Sequence, residues 1–166
     1  MNKFGKSIIT VGVLVVGIGF ALWYAQPDNS EPPAAVAENW QLKGEPAAYD
    51  FGTISMKDGK VSQVFKVRNE NRDRLNIDMV YTSCMCTEAK IISRGEEFGP
   101  FGMQGHGVNS GLDRSIDPNE EIEVVVIFDP NAHGPSGVGP IERVVTLEGN
   151  EHRKLVEFNV KANVTP

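Results

Sequence analysis

Cysteine is scarce in this sequence, and the two cysteines present are close neighbours. Cys84 and Cys86 are separated by one residue, so they cannot form the disulfide that joins the two sheets of an antibody-type domain. No Cys-x-x-Cys is present to begin a helix and lower a thiol pKa, which argues against a thioredoxin-type oxidoreductase. The chain also lacks a Gly-x-Ser-x-Gly nucleophile elbow. We therefore expect a protein that is not an enzyme.

Basic residues are in the minority. The chain has 16 Lys and Arg against 22 Asp and Glu, for a formal net charge of −6. An acidic surface repels phosphate backbones and anionic lipid headgroups. The composition therefore predicts no nucleic-acid partner.

One long apolar run lies near the N-terminus. Residues 8–25 contain no charged side chain, and a helix of about 18 residues measures roughly 27 Å, close to the ~30 Å of a bilayer core. Lys3 and Lys6 precede the run, and Trp23 and Tyr24 stand at its far end. Basic residues stay cytoplasmic and aromatic rings favour the interface. We predict a short cytoplasmic N-terminus at residues 1–7, a transmembrane signal-anchor helix at residues 8–25, and an extracytoplasmic remainder of a single-pass cell-membrane protein.

A cleaved signal peptide is the alternative interpretation of this run. Bulky Trp23 and Tyr24 occupy the place where small residues precede a cleavage site, and the run is longer than an ordinary signal peptide core. These features favour an uncleaved anchor. Either outcome exports the rest of the chain.

Residues 26–48 are rich in Pro and Ala and have no apolar period. This composition is typical of an extended spacer rather than of packed structure. We predict a linker over residues 26–48 and a folded domain over residues 49–166.

Beyond the spacer, apolar residues recur with a period of two, which is typical of half-buried strands. Less regular strands are expected at residues 49–54, 61–69 and 143–148, and no window has the period of an amphipathic helix. About seven short strands separated by turn residues predict an all-β fold, an immunoglobulin-like antiparallel β-sandwich. The clearest alternating sets are Leu75, Ile77, Met79 and Tyr81; Ile122, Val124, Val126 and Phe128; and Val156, Phe158, Val160 and Ala162.

Residues 93–118 do not show this alternation of apolar and polar residues. The segment is glycine-rich and has no recognisable strand. Loops longer than about 12–15 residues are uncommon in compact domains and are usually functional or disordered. Phe98, Phe101 and Met103 supply apolar anchors that a disordered linker lacks. We predict an ordered Gly-rich insertion loop.

Several short motifs give the chain a family resemblance over residues 49–164. They are Asp50-Phe51-Gly52 with Ile54, Phe65-x-Val67-x-Asn69, Ser83-Cys84-Met85-Cys86-Thr87, the turn Pro118-Asn119-Glu120, and Phe128-Asp129-Pro130 at the end of a strand. In these the chain resembles the bacterial domain-of-unknown-function 1573 family, whose fold is an immunoglobulin-like sandwich related to the ASH modules of cilia and centrosomes. The resemblance implies this fold and export, and the family has no settled biochemical activity.

Two departures from the family pattern concern the cysteine region. Family members usually have Gly between the cysteines, where this chain has Met85. The connection from the cysteines to the Pro118-Asn119-Glu120 turn is also longer than usual, so the segment with Met103 and His106 resembles an insertion.

The cysteines are the centre of a candidate soft-metal site. They follow a strand that ends at Tyr81-Thr82, and residues i and i+2 of a strand share a face, so both sulfurs are expected to point into one space. Thiolate, thioether and imidazole groups select Cu(I), with Zn²⁺ possible at Cys and His. We predict a site for copper, with zinc the less favoured ion. Its candidate ligands are Cys84, Cys86, Met103, His106 and His133.

Two other roles for the cysteines stay open. They can form a disulfide in an exported compartment, although an extended strand places the Cα atoms near the ~7 Å limit, so a turn or strain is needed. They can also be structural, since free Cys is often buried as a small hydrophobe, and the histidines would then be ordinary surface residues.

Arg143 interrupts the apolar face of a strand. A buried or half-buried guanidinium needs a partner, and we expect a structural ion pair with an acid such as Asp129.

The leading functional hypothesis is a membrane-tethered envelope protein that binds copper for sensing, storage or handover. The alternative is a non-enzymatic interaction module that presents its loops or a sheet edge to another envelope protein. In that case the cysteine pair is structural or a disulfide.

Overall fold

Ten strands make up most of the described part of the chain, which is residues 41–106, 111–149 and 152–166 of a computed structural model. The strands are β1 (Lys43–Glu45), β2 (Ala48–Ser55), β3 (Val61–Arg68), β4 (Leu75–Thr82), β5 (Thr87–Ser93), β6 (Glu96–Phe101), β7 (Gly111–Ile116), β8 (Glu121–Phe128), β9 (Gly139–Gly149) and β10 (Arg153–Thr165). They form two five-stranded sheets with the orders β1-β3-β8-β5-β6 and β2-β10-β9-β4-β7. All pairs of these strands are antiparallel except β2 with β10.

The all-β prediction is confirmed, with ten strands instead of about seven. The cytoplasmic N-terminus, the anchor helix at residues 8–25 and most of the linker lie outside the described residues. Among the residues that are described, no helix is long and apolar enough to span a membrane.

The folded domain begins before the predicted boundary at residue 49. Leu42 is 5% exposed and belongs to the core, and its N–H donates to the carbonyl of Leu155 at 2.9 Å. The short strand β1 follows and pairs with β3. Gly44 is needed there, because a Cβ at this position would lie 2.4 Å from Cε1 of Phe158. Composition alone could not separate these few packed residues from the spacer.

The core lies between the inner faces of the two sheets. In β8 the predicted alternation is confirmed, since Ile122, Val124, Val126 and Phe128 are all 2% exposed or less. Phe65 of β3 and Phe158 of β10 meet across the sheets with ring centroids 4.5 Å apart.

In β4 the predicted alternation holds only for the first half. Beyond Ile77 the buried positions of β4 change from odd to even residue numbers: Val80 is fully buried, whereas Met79 and Tyr81 are half-buried. The pairing with β7 is irregular at the same place, between Ile77 and Met79. The expectation that Met79 and Tyr81 share the inner face was therefore wrong.

A second shift lies in β10, between Lys154 and Val156. Leu155 is buried in place of the predicted Val156, whereas Phe158, Val160 and Ala162 are buried as predicted.

The prediction of a strand-free loop over residues 93–118 was wrong. The segment contains β6, which pairs with β5, and β7, which pairs with β4. Both are outermost strands of their sheets, where glycine and proline are tolerated and alternation is weak. Phe101 and Leu112 anchor the segment in the core, at 3% and 7% exposure.

A polar cluster lies at the start of β4 and the end of β5. These are the ends of the two strands that are farther from the cysteines. Nε and Nη2 of Arg94 donate to Glu120 Oε1 at 2.9 Å and to Asp117 Oδ2 at 2.6 Å, and Arg74 Nε donates to Asp117 Oδ1 at 2.6 Å. The Arg74 and Arg94 guanidinium groups lower the pKa of Asp117. Burial acts to raise the pKa of Glu120, but the hydrogen bonds from Arg94 and from the Asp117 N–H outweigh it, and the net pKa is lowered.

Truncation of Phe158 tests the importance of the inter-sheet contact. Phe158→Ala removes a fully buried ring and should lower the free energy of unfolding by about 3–5 kcal/mol. Urea denaturation followed by far-ultraviolet circular dichroism, which reports the loss of β-sheet, measures it. Val64→Ala is the control, because Val64 is 42% exposed and its truncation should change stability by about 0.5 kcal/mol or less. An equal loss of unfolding free energy in the two variants would contradict this inter-sheet packing.

The acidic pair predicts a dependence of stability on pH. Because the folded pKa values of Asp117 and Glu120 lie below their ordinary values of 3.8 and 4.5, these groups stabilise the fold above those values. That stabilisation is lost as the pH falls through the lower folded values. Arg94→Gln should lower the melting temperature at neutral pH and reduce its fall below pH 4.5. Lys57→Gln, which removes an exposed cation outside these ion pairs, should leave the slope of that fall unchanged.

Candidate functional site

The two cysteines lie in the short connection between the sheets. Strand β4 ends at Thr82 in one sheet, β5 begins at Thr87 in the other, and only residues 83–86 join them. Ser83 and Val144 of β9 exchange two hydrogen bonds, N–H to carbonyl and N–H to hydroxyl, each 2.9 Å long. On the other side the Asp129 N–H donates to the Cys86 carbonyl at 2.9 Å. The connection is therefore attached to both sheets.

Within this connection the backbone makes a turn rather than an extended strand. The Thr87 N–H donates to the Cys84 carbonyl at 3.1 Å. The hydroxyl of Thr82, a residue 2% exposed, lies 2.9 Å from the carbonyls of both Cys84 and Thr87, and its single proton can serve either. The expected convergence of the two sulfurs is confirmed, but a turn rather than the face of a strand brings it about, because β4 has already ended at Thr82.

The turn brings the two cysteines within bonding distance, and they form a disulfide in the structure. Their Cα atoms are 5.3 Å apart, inside the usual range of about 4.4–6.8 Å. The turn that a Cys-x-Cys disulfide requires is thus present. No cysteine remains free.

His133 stands beside the first sulfur. Its Nε2 lies 3.2 Å from Cys84 Sγ, and in the tautomer that carries a proton on Nε2 it donates to that sulfur. The loop that presents it follows β8, starting at the same Asp129 that binds the Cys86 carbonyl. Asn131 stiffens the loop by donating its side-chain amide to the Met56 carbonyl at 2.6 Å.

Arg143 stands beside the second sulfur. Its Nε donates to Cys86 Sγ at 3.1 Å and its Nη1 to the Glu142 carbonyl at 2.8 Å. The expected ion pair with Asp129 was wrong, because the Asp129 carboxylate instead accepts from the Asn131 N–H. The register explains the contact: Thr82 is opposite Val145, so the chain beyond Thr82 continues alongside Val144 and Arg143.

The two sulfurs have different surroundings. Cys86 is 2% exposed and packs with Ile54, Phe128 and Val164. Cys84 is only partly buried, and Met85 between them is 58% exposed. Cys86 is thus enclosed by apolar side chains, whereas Cys84 packs against the same cluster but remains partly accessible.

The five predicted metal ligands are only partly brought together. One ligand atom from each of Cys84, Cys86 and His133 lies within 4.8 Å of the other two. His106 is exposed and is not part of this group. The backbone of Met103 forms an isolated bridge with Thr82, two residues before Cys84.

Sequence reasoning missed two neighbours of the site. Arg143 was expected in a structural ion pair, but the register of β9 against β4 places it beside Cys86. Nothing in the sequence pattern pointed to Met56. Its side chain packs against the same apolar cluster as Cys84 and Cys86, after a strand that lies far away in the sequence.

The arrangement can support two kinds of chemistry. As a disulfide, the pair can accept two electrons from thiols. As a dithiol, it offers two sulfur donors beside an imidazole, a ligand set suited to soft metals.

Comparison with solved structures gives a likeness of fold. A crystal structure of a protein of unknown function from Porphyromonas gingivalis W83 aligns with 80% of this chain and 51% of its own, at 16% identity and a TM-score of 0.51. The secreted serine protease VesC from Vibrio cholerae aligns with 76% of this chain and 24% of its own, at 10% identity and a TM-score of 0.48. The chain thus spans about half of the first protein and about a quarter of the second.

Sequence comparison supports a family for the first half of the domain. No curated protein matches the chain. Residues 42–98, which run from the start of the core to the middle of β6 and include both cysteines, match the family described as "Protein of unknown function (DUF1573)". This match supports the assignment of that segment to the domain family.

Proposed function

We propose that this protein is a membrane-tethered, extracytoplasmic binding protein for a soft metal ion, with Cu(I) favoured over Zn²⁺. Cys84, Cys86 and His133 are the ligands, and the protein is not an enzyme. The observation that carries the proposal is the convergence of these three donors within 4.8 Å of one another. They come from two loops that are distant in sequence.

The spacing of the donors suits a single ion after a small adjustment. Metal–sulfur and metal–nitrogen bonds of about 2.3 Å and 2.0–2.1 Å place neighbouring ligand atoms under about 4 Å apart. Thiolates are the binding form of cysteine, so the disulfide must first take up two electrons. The oxidised and metal-bound states therefore exclude each other.

The number and type of donors favour copper. Structural zinc sites are almost always four-coordinate, whereas two thiolates with one imidazole are a soft, incomplete set that suits Cu(I). Met103 and His106 are proposed as additional donors. Because the His106 ring lies outside the group, its participation would require the loop that carries it to move.

The proposed location rests on the N-terminal sequence and on the disulfide. An anchor over residues 8–25 would hold the domain outside the cytoplasm. Disulfides persist in oxidising compartments and are rare in the cytosol. Sensing, storage or handover of copper in the cell envelope is the role that fits both features.

Metal uptake by the reduced protein is the direct test. The fully reduced, anaerobic protein should withdraw one Cu(I) per chain from a chromophoric chelator, and the oxidised protein none. Cys84→Ser, Cys86→Ser and His133→Ala should each weaken the affinity about a hundredfold or more, since second-shell changes alone cost 10–100-fold.

The controls identify the ligands. His152→Ala, which removes an exposed histidine outside the group, should bind as tightly as the unchanged protein. Met103→Leu and His106→Ala should weaken binding only if these residues join the site. If the double Cys→Ser variant takes up as much Cu(I) as the unchanged protein, the metal proposal is wrong.

A second candidate function starts from Met85, an apolar side chain between the two cysteines that is 58% exposed. Methionine adapts to varied apolar partners and is frequent at binding surfaces. On this alternative the domain captures another envelope protein there, and the cysteine pair serves to shape the turn.

Site-specific crosslinking tests the interaction surface. A photo-crosslinking residue in place of Met85 should yield one recurring adduct in intact membranes. The same residue in place of Val64, an exposed apolar position on the outer face of β3, should yield none. Identical products from both positions would argue against a specific surface.

A further inference from the structure

The two sulfurs of the Cys84–Cys86 disulfide differ in how easily a thiolate can reach them. Exchange requires a thiolate to approach the attacked sulfur in line with the bond that breaks, with the second sulfur as the leaving group. Cys84 is partly exposed. Cys86 is 2% exposed and packed among Ile54, Phe128 and Val164, so apolar side chains restrict access to it.

The guanidinium of Arg143 supports the same direction. Its Nε–H donates to Cys86 Sγ at 3.1 Å, and a hydrogen bond from a cationic donor strengthens when its acceptor becomes an anion. Arginine keeps its charge under all ordinary conditions. It would therefore stabilise negative charge on Cys86 as the disulfide opens. The contacts of Cys84 Sγ are the His133 imidazole at 3.2 Å and the Cys86 N–H at 3.3 Å, neither of which carries a permanent positive charge.

Arg143 is also held in place before any reaction. Its Nη1 donates to the Glu142 carbonyl at 2.8 Å, and β9 is paired with β10 on one side and with β4 on the other. A donor that is already oriented needs little rearrangement as charge develops.

We propose that this disulfide is a directed thiol–disulfide exchange site, in which Cys84 is the sulfur attacked and Cys86 is the leaving group stabilised by Arg143. The reductant is a dithiol on another protein or peptide. The inference stands on the disulfide and goes beyond the metal site, because it does not require an ion.

The exchange proceeds in two balanced steps. A partner thiolate, its proton released to solvent, attacks Cys84 Sγ; a bond forms between these sulfurs, the Cys84–Cys86 bond breaks, and its electron pair remains on Cys86. The second thiol of the partner then displaces Cys84 from the mixed disulfide. The partner leaves as a disulfide, and two electrons and two protons have moved to the cysteine pair.

The exposed side chain of Met85 suggests what approaches. Met85 lies between the two sulfurs and is 58% exposed, so a partner that reaches Cys84 also meets a flexible thioether. Methionine adapts to varied apolar surfaces. A dithiol protein or peptide with an apolar residue beside its attacking cysteine is the class of substrate that fits.

The position of the first adduct tests the direction of attack. The oxidised full-length protein is mixed with glutathione, quenched with acid, alkylated with N-ethylmaleimide, and mapped by fragmentation mass spectrometry. Glutathione should be found on Cys84 at least about tenfold more often than on Cys86, with the maleimide on Cys86. An equal distribution, or an excess on Cys86, would overturn the proposal.

The rate of reduction by dithiothreitol tests the role of Arg143. Arg143→Gln should slow the reaction about tenfold, and Arg143→Lys should restore part of the rate because it keeps the cation. Lys161→Gln is the matched control: it removes one positive charge from the adjacent strand, where Lys161 pairs with Glu142, and should react at the unchanged rate. If Arg143→Gln reacts as fast as this control, the assigned role is wrong.

Each result is informative by itself. Should Arg143→Gln fail to fold, the adduct position in the unchanged protein still decides the direction. A protein that takes up no Cu(I) but carries glutathione on Cys84 disproves only the metal site. A protein that binds Cu(I) but carries glutathione equally on both cysteines disproves only the directed exchange.

Discussion

The chain passes from one sheet to the other between Thr82 and Thr87, and the geometry of the site depends on the shortness of that passage. Its residues bond to both sheets, Ser83 to Val144 of β9 and Cys86 to Asp129 at the end of β8. The backbone folds into a turn, held by the buried hydroxyl of Thr82. Since both cysteines lie within the turn, the same constraint brings their sulfurs together and places one towards the core.

The neighbours of the sulfurs follow from strand pairing. His133 is carried by the loop after β8 and Arg143 by β9, and each belongs to an element bonded to one side of the turn. The chain is acidic overall, at −6, yet the basic side chains His133 and Arg143 contact the sulfurs. Groups of this kind favour thiolate character, which metal binding and exchange both require.

Strand content was readable from the sequence wherever one face of a strand was evenly apolar, as in β8. The alternation failed to predict the inner face where that face changes, in β4 and in β10. In β10 an extra residue reverses the faces without changing the composition. The alternation also failed at β6 and β7, since outermost strands need no regular alternation. For the site, Cys84, Cys86 and His133 were identified by residue type, whereas the contact between Arg143 and Cys86 depends on the register of two strands about sixty residues apart, which periodicity does not encode.

The single parallel pair, β2 with β10, gives the domain a mechanical property. Ala48 is opposite Asn159 and Ser55 is opposite Thr165, and the Ser55 hydroxyl donates to the Pro166 carbonyl at 3.0 Å. Tension between the start of β2 and the end of β10 would slide the two strands along each other. Their hydrogen bonds would then be loaded in shear and would break together rather than one after another. A force along the chain would have to break this set of hydrogen bonds before it exposed the core.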